Sequence, residues 1–300
     1  MGIHGVLIVD KRSGPTSHDV VSQARRLFGT RAVGHAGTLD PMASGVLVLL
    51  VGEATKLSSY LTLDDKEYRA TIAFGRSTDT LDALGRTVDE ATLDDGWLTP
   101  DRLAAALAAE GTRQEQVPPD FSAISIDGKR AHRLARSGKP VLLAPRPVAV
   151  RRLDLVERSE RELICDLQVS KGYYVRALAR DLGAALGVPA HLRALERRAS
   201  GPFRLDEALA WPPDKPPPLL SLRDIAHRSL RPATLTDEGA ARARLGQPLS
   251  ADHFSALPHE AAVVAWLDPA GRLVALGEPD DAGGYRVVRG FTAEAIDSSI

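Results

Sequence analysis

Gly34-His-Ala-Gly-Thr-Leu-Asp-Pro-Met-Ala-Ser-Gly45 runs directly into the aliphatic stretch Val46-Leu-Val-Leu-Leu-Val51. The aliphatic residues predict a buried strand. Gly34, Gly37 and Gly45 let the backbone before it turn sharply or approach a ligand closely. Pro41 stiffens the chain and biases Asp40 away from the α region. Asp40 is therefore expected on a stiff loop that looks out from a strand edge, a place suited to a functional carboxylate. An Asx-turn that merely caps the loop is the alternative for an Asp before Pro. His35 taken alone reads as a structural or surface histidine more readily than as a catalyst. The glycines match neither G-x-x-x-x-G-K-[ST] nor G-x-G-x-x-G, which argues against a nucleotide-binding loop. No G-x-S-x-G elbow and no H-E-x-x-H pair is present.

Elements on either side follow from periodicity. Gly5 to Val9 reads as a short buried strand. Thr16 or Ser17 opens a helix with a capping box at Asp19, an apolar stripe through Val20, Val21, Ala24, Leu27 and Phe28, and a stop at Gly29. Lys11 falls on the turn between them. A helix is expected from Ala54 to Leu61, an alternating strand through Tyr68, Ala70, Ile72 and Phe74, and a helix from Pro100 to about Gly111. Residues 114–147 are rich in Pro, Gly, Lys and Arg and read as an excursion from the core, with a short helix from Lys129 to Arg136. A hairpin is expected over Pro147–Glu157 and Arg161–Ser170. A helix follows with Val175, Leu178, Ala179, Leu182 and Leu186 on one face, Arg176 and Arg180 on another, and Gly187 as its stop. Trp211-Pro-Pro-Asp-Lys-Pro-Pro-Pro218 reads as an extended connector. Beyond it come a short helix, Asp237 to Arg244, and strands at Ala262–Leu267, Arg272–Leu276 and Arg286–Val288. The expected division is a catalytic domain over 1–230, carrying the 114–147 insertion, and a small β-rich domain over 231–300.

The 300 residues are 44% hydrophobic and 26% charged, which excludes a disordered chain, a collagen and a coiled coil. No apolar run approaches the roughly 20 residues of a membrane helix, and no secretory leader is visible. Cys165 is the single cysteine, so an intrachain disulfide and a multi-thiolate zinc site are excluded, and a cytoplasmic location is expected. The net charge of −1 conceals an asymmetry. Asp127 to Arg204 holds 17 Lys and Arg against 8 Asp and Glu, while the remainder holds 21 against 31. Near-neutrality overall therefore leaves room for a polyanionic partner.

The glycine-rich segment closely resembles the signature of TruB-type tRNA pseudouridine synthases, and other motifs of that family stand in order around it. Gly5-Val-Leu-Ile-Val-Asp-Lys resembles the N-terminal motif. Lys66-Glu-Tyr-Arg-Ala with Gly75-Arg-Ser-Thr-Asp-Thr-Leu-Asp-Ala-Leu-Gly85 resembles the tyrosine motif. Val117-Pro-Pro through Ser122-Ala, with Gly128-Lys-Arg, resembles the RNA-gripping insertion. Ser170-Lys-Gly-Tyr-Tyr-Val-Arg176 resembles the arginine motif, and Leu195-Glu-Arg-Arg-Ala-Ser-Gly-Pro-Phe203 the closing motif. A weaker resemblance, from Ala241 to about Gly290, is to a PUA-type RNA-binding domain.

The resemblance implies an α/β (α+β) pseudouridine synthase fold: a mixed, largely antiparallel sheet flanked by helices, plus the PUA-type domain. It implies isomerisation of uridine to pseudouridine at position 55 in the tRNA T-loop. Asp40 would be the catalytic aspartate, Arg176 its partner, and Tyr68 the platform under the target base. His35 would fill the gap left by the flipped base, Lys11 would lie beside the site, and Leu195 would wall the pocket. Lys129, Arg130, Arg197 and Arg198 would face the RNA. Breaking the N1–C1′ bond and rejoining uracil through C5 transfers neither electrons nor phosphoryl groups, so no cofactor and no metal are implied. Asp40 attacking C1′, attacking C6, or removing a proton from C2′ all remain open.

Phe121 and His132 stand where the family commonly has tyrosines. A tRNA-folding chaperone with incidental catalysis is the alternative function. An enzyme guided by a separate RNA and protein partners is the other, and the insertion argues instead for a stand-alone enzyme that grips the T-arm itself; with no coiled coil or obvious apolar face in the sequence, a monomer is expected.

Overall fold

Burial of Val46–Val51 requires cover on both faces of one strand, and the chain supplies it from opposite ends. In the computed structural model, which describes residues 2–122, 124–126, 129–130, 143–257 and 263–292, these residues belong to β3 (Ser44–Val51). It lies inside a nine-stranded sheet. The others, in chain order, are β1 (Gly5–Lys11), β2 (Val33–Ala36), β4 (Lys66–Phe74), β5 (Val150–Arg158), β6 (Glu162–Val169), β7 (Ala190–Ser200), β8 (Phe203–Arg204) and β9 (Leu209–Ala210). The strands run β5-β6-β4-β7-β3-β1-β9, with β2 added to β3 and β8 to β7. All pairings are antiparallel except the short β7–β3 and β1–β9 ladders.

Alternate residues of β1 and β3 enter different cores, as the two-residue period of a strand demands. Leu7, Val9, Leu47, Leu49 and Val51 pack with α1 (Ser17–Leu27), α2 (Pro100–Gly111) and α3 (Val175–Leu186). Val6, Ile8, Val46, Val48 and Leu50 pack on the other face with α4 (Leu222–Ser229) and with Ala265, Leu267, Leu273, Leu276 and Phe291. Ala265, Leu267, Leu273 and Leu276 lie on a five-stranded C-terminal sheet, β10 (Pro232–Leu235), β11 (Phe254–Ala256), β12 (Val264–Leu267), β13 (Leu273–Pro279) and β14 (Tyr285–Gly290), ordered β11-β10-β12-β13-β14, and Phe291 directly follows its last strand. Helix α5 (Asp237–Arg244) packs on it. Lys56 and Glu53 reinforce the contact: Lys56 Nζ donates to the Gly290 carbonyl at 2.8 Å, and Thr292 N–H to Glu53 at 3.2 Å.

Local signals account for the helices that position the site. Thr16 and Asp19 form the expected capping box on α1. Gly187 adopts the left-handed conformation (φ 72°) that ends α3. Other expectations need correction. Residues 52–61 form a 3₁₀ turn, Gly52–Leu57, and one α turn, Ser58–Leu61, rather than one helix. The expected helix from Lys129 is not present at its start, because Lys129–Arg130 pair with Ser125–Ile126 as short strands. The remainder of that helix, with His132, lies outside the described residues. Nothing in the sequence pattern marks the 11-residue β7, because Arg193, Glu196, Arg197 and Arg198 obscure its alternation. The proline segment begins at a buried residue, since Trp211 is 4% exposed and its indole N–H donates to Gln23 Oε1 at 2.7 Å.

Candidate active site

Asp40 sits on the loop between β2 and β3, and the loop's shape follows from what receives its carbonyls. Arg197, on β7, is 1% exposed. Its Nη2 donates to the Gly37 carbonyl at 3.0 Å, Nη1 to Thr38 at 3.2 Å and Nε to Val46 at 2.7 Å. The Pro41 carbonyl accepts from Gly14 N–H at 2.8 Å and from Lys11 Nζ at 3.4 Å. Ala43 N–H donates to the Asp40 carbonyl at 3.1 Å. Gly45 permits the close β3–β7 contact. Its φ is +98°, and a Cβ there would stand 2.2 Å from the Arg197 carbonyl oxygen.

Arg176 grips the carboxylate from the first turn of α3. Its Nε lies 2.8 Å from Asp40 Oδ2 and its Nη2 3.2 Å from Oδ1, a two-point clasp that fixes the plane of the carboxylate. The remaining donors hold the guanidinium: Nη1 to the Thr80 carbonyl at 2.9 Å and Nη2 to Phe121 at 3.0 Å. Asp82 Oδ2 stands 3.9 Å behind Nε. Asp82 Oδ1 accepts from Thr80 Oγ1 at 2.7 Å and from Leu84 N–H at 3.1 Å. The Arg176 side chain is 6% exposed and that of Asp40 33%. The cation is thus sequestered, while the carboxylate keeps an open side.

The other candidates divide sharply. Tyr68 on β4 lies directly opposite Arg197 on β7, and Leu195 opposite Ala70, so all four share one face of the sheet. Tyr68 is half-buried against the core and Leu195 is buried. Lys11 is buried with Nζ donating to the Arg12 and Pro15 carbonyls, both at 2.9 Å. Burial lowers its pKa to about 8, partly offset by the Asp40 charge and reinforced by Arg197. His35 on β2 has a buried Nδ1 with no hydrogen-bond partner. Burial, then the nearby Arg197 and His18, hold its pKa below the ordinary imidazole value.

Arg197 requires a correction. It was expected to face RNA, but its guanidinium is enclosed and spent on loop carbonyls. Arg198 is its half-exposed neighbour, beside Glu196 at 3.2 Å and Asp166 at 3.6 Å. Lys129 and Arg130 lie on the short strand noted above. Asp82 and Thr80 were not singled out by sequence. Their motif was visible, but nothing local ties a turn at 80–82 to a helix at 176. Among the described residues no group of three or more His, Cys, Asp or Glu could hold a metal ion, and no helix is long and apolar enough to cross a membrane.

Comparisons with known proteins place this sheet, with its buried arginine clasping a loop carboxylate, among the pseudouridine synthases. Residues 25–175 match the family described as TruB family pseudouridylate synthase (N terminal domain). A tRNA pseudouridine synthase B of Cutibacterium acnes is 43% identical over 288 residues, covering 92% of this chain and 94% of that one. One of Rhodococcus jostii is 44% identical over 282 residues, covering 91% and 89%. Among solved structures, one described as a Cbf5-Nop10-Gar1 complex superposes with a TM-score of 0.71 at 23% identity, covering 96% of this chain and 84% of that one. The last shows the fold alone. The chain belongs to the TruB family of pseudouridine synthases.

Proposed function

We propose that this protein isomerises uridine to pseudouridine at position 55 in the T-loop of tRNA, with Asp40 as the catalytic aspartate. The observation that carries the reading is the two-point clasp of Asp40 by a sequestered Arg176. Relatives named as tRNA pseudouridine synthase B, aligned over about nine-tenths of both chains, support tRNA as substrate. Position 55 rests on the motif resemblance.

Three routes are open to the carboxylate: attack at C1′, attack at C6, or removal of the C2′ proton. Each needs a carboxylate aimed at the reacting atom, and the two-point clasp by the guanidinium supplies that aim. The N1–C1′ bond breaks, uracil turns, and C5 bonds to C1′. The C5 hydrogen leaves as a proton and N1 gains one. Tyr68 would hold the loosened base by stacking, worth roughly 1–3 kcal/mol. Flipping the base out costs a few kcal/mol, and His35 would offset part of that by filling the vacated space. Leu195 would wall the pocket, Lys11 would support the loop, and Lys129, Arg130 and Arg198 would meet phosphates. The division at 230/231 and an RNA-binding role for the C-terminal sheet belong to the same proposal. So does a cytoplasmic monomer acting without guide RNA or protein partner.

The test is tritium release from tRNA carrying uridine tritiated at C5, with purified protein and no additions. Release by wild type and none by Asp40→Ala is expected. Tight tRNA binding without release by either protein would instead favour the chaperone reading.

A further inference from the structure

The capping of α1 leaves one hydroxyl over. Thr16 is the N-cap: its Oγ1 accepts from Asp19 N–H at 3.0 Å, and Asp19 Oδ2 accepts in return from Thr16 N–H at 2.8 Å. Ser17, the next residue, is therefore not needed by the helix end, and its side chain turns to the Asp40 loop. Leu39 N–H donates to Ser17 Oγ at 2.8 Å, and Ser17 Oγ donates to the Leu39 carbonyl at 3.0 Å. Ser17 is 2% exposed.

We propose that Ser17 is a positioning residue for the reaction at Asp40, its hydroxyl fixing the peptide from which the catalytic carboxylate projects. The Leu39 carbonyl belongs to the peptide unit that ends at the Asp40 nitrogen. Rotation of that unit would swing the Asp40 Cα–Cβ bond. Arg197 and Lys11 hold carbonyls on either side, at Gly37, Thr38 and Pro41. Ser17 alone among these side chains engages both backbone groups of the residue just before Asp40. Arg176 holds the carboxylate from the front and Ser17 holds its backbone from behind. A hydroxyl suits this task because one oxygen donates and accepts at once. An alanine would remove both bonds while leaving helix propensity intact.

The inference rests on the reading of Asp40 as the catalytic aspartate, so the experiment includes both. Single-turnover rates at saturating tRNA, tRNA dissociation constants and unfolding midpoints are measured for wild type, Ser17→Ala, Val20→Ala and Asp40→Asn. Val20 lies on the same helix, is 0% exposed and packs in the core. Ser17→Ala should lose about tenfold to hundredfold in rate, the effect of misplacing a reacting group by an ångström or less, with affinity within about twofold of wild type. Val20→Ala should lower the midpoint at least as much and keep its rate. Ser17→Ala turning over at the wild-type rate would overturn the inference. So would rate losses that simply follow the midpoint in both helix variants. Asp40→Asn separates the two failures. If it is inactive while Ser17→Ala is fully active, only the positioning role falls. If Asp40→Asn itself turns over, the catalytic reading falls and the positioning role with it.

Discussion

Replacing Arg176 by alanine removes the two hydrogen bonds that orient Asp40 and the two that seat the guanidinium on Thr80 and Phe121. A hydrogen bond to a charged group contributes about 1.5–3 kcal/mol. The Asp40 side chain is 33% exposed, so water takes up part of what the two Asp40 bonds supply. A net loss of about 2–3 kcal/mol in orientation follows, which at 1.36 kcal/mol per decade is about 30- to 150-fold in turnover. Affinity should barely change, because a buried side chain offers the RNA no surface. Arg176→Lys should recover little, since one ammonium cannot span both carboxylate oxygens and two carbonyls. Tritium release under single-turnover conditions gives the rate, filter binding gives the affinity, and a thermal melt confirms that the variant is folded at the assay temperature. Equal losses in rate and affinity, or a rate within about threefold of wild type, would refute the assigned role.

Two further outcomes follow from burial. Lys11 releases its proton at about pH 8 in the folded chain and near 10.5 in the unfolded one. Between those values the unfolded state binds more protons, so Lys11 contributes stability that grows as pH rises. Denaturant midpoints at two pH values should show wild type gaining about 1–2 kcal/mol over Lys11→Met between roughly pH 7.5 and 9.5; a flat or falling difference would refute it. The Lys11→Met comparison cancels Lys66, which is lowered to about 8 in the same direction. Removing the residues after Leu230 should lower the melting temperature of what remains, because Ala265, Leu267, Leu273, Leu276 and Phe291 cover Val6, Ile8, Val46, Val48 and Leu50. An unchanged melt would show that the two sheets do not share a core.

Much of this architecture was legible because local rules suffice for it. The capping box at Thr16, the stripe and glycine stop of α3, and the aliphatic run of β3 each carry their own signal within one element. The motifs also placed Asp40, Tyr68 and Arg176 as candidates. What was not legible depends on pairings between distant segments. β7 is hidden by its charges, and Arg197 reads as a surface cation until the carbonyls of Gly37, Thr38 and Val46 surround it. Ser17 reads as a rival helix cap until Thr16 takes that place. Asp82 lies in a recognisable motif, but its approach to Arg176 is set by folding over more than ninety intervening residues.

The insertion of β7 between β3 and β4 has a consequence for how the molecule is made. A ribosome delivers β3 and β4 close together, yet the strand that joins them arrives more than a hundred residues later. Until then β4 presents an unpaired edge, while β3, already flanked by β1 and β2, lacks only its short ladder at Ser44–Gly45; an open edge is the condition under which a nascent chain is most prone to wrong partners. Long-range closure of this kind is also slow. The Gly37, Thr38 and Val46 carbonyls wait for the same event, since their common donor is carried by the late strand. Asp40 is translated more than a hundred residues ahead of β7, but its loop acquires its final shape only when the closing strand slides into the sheet.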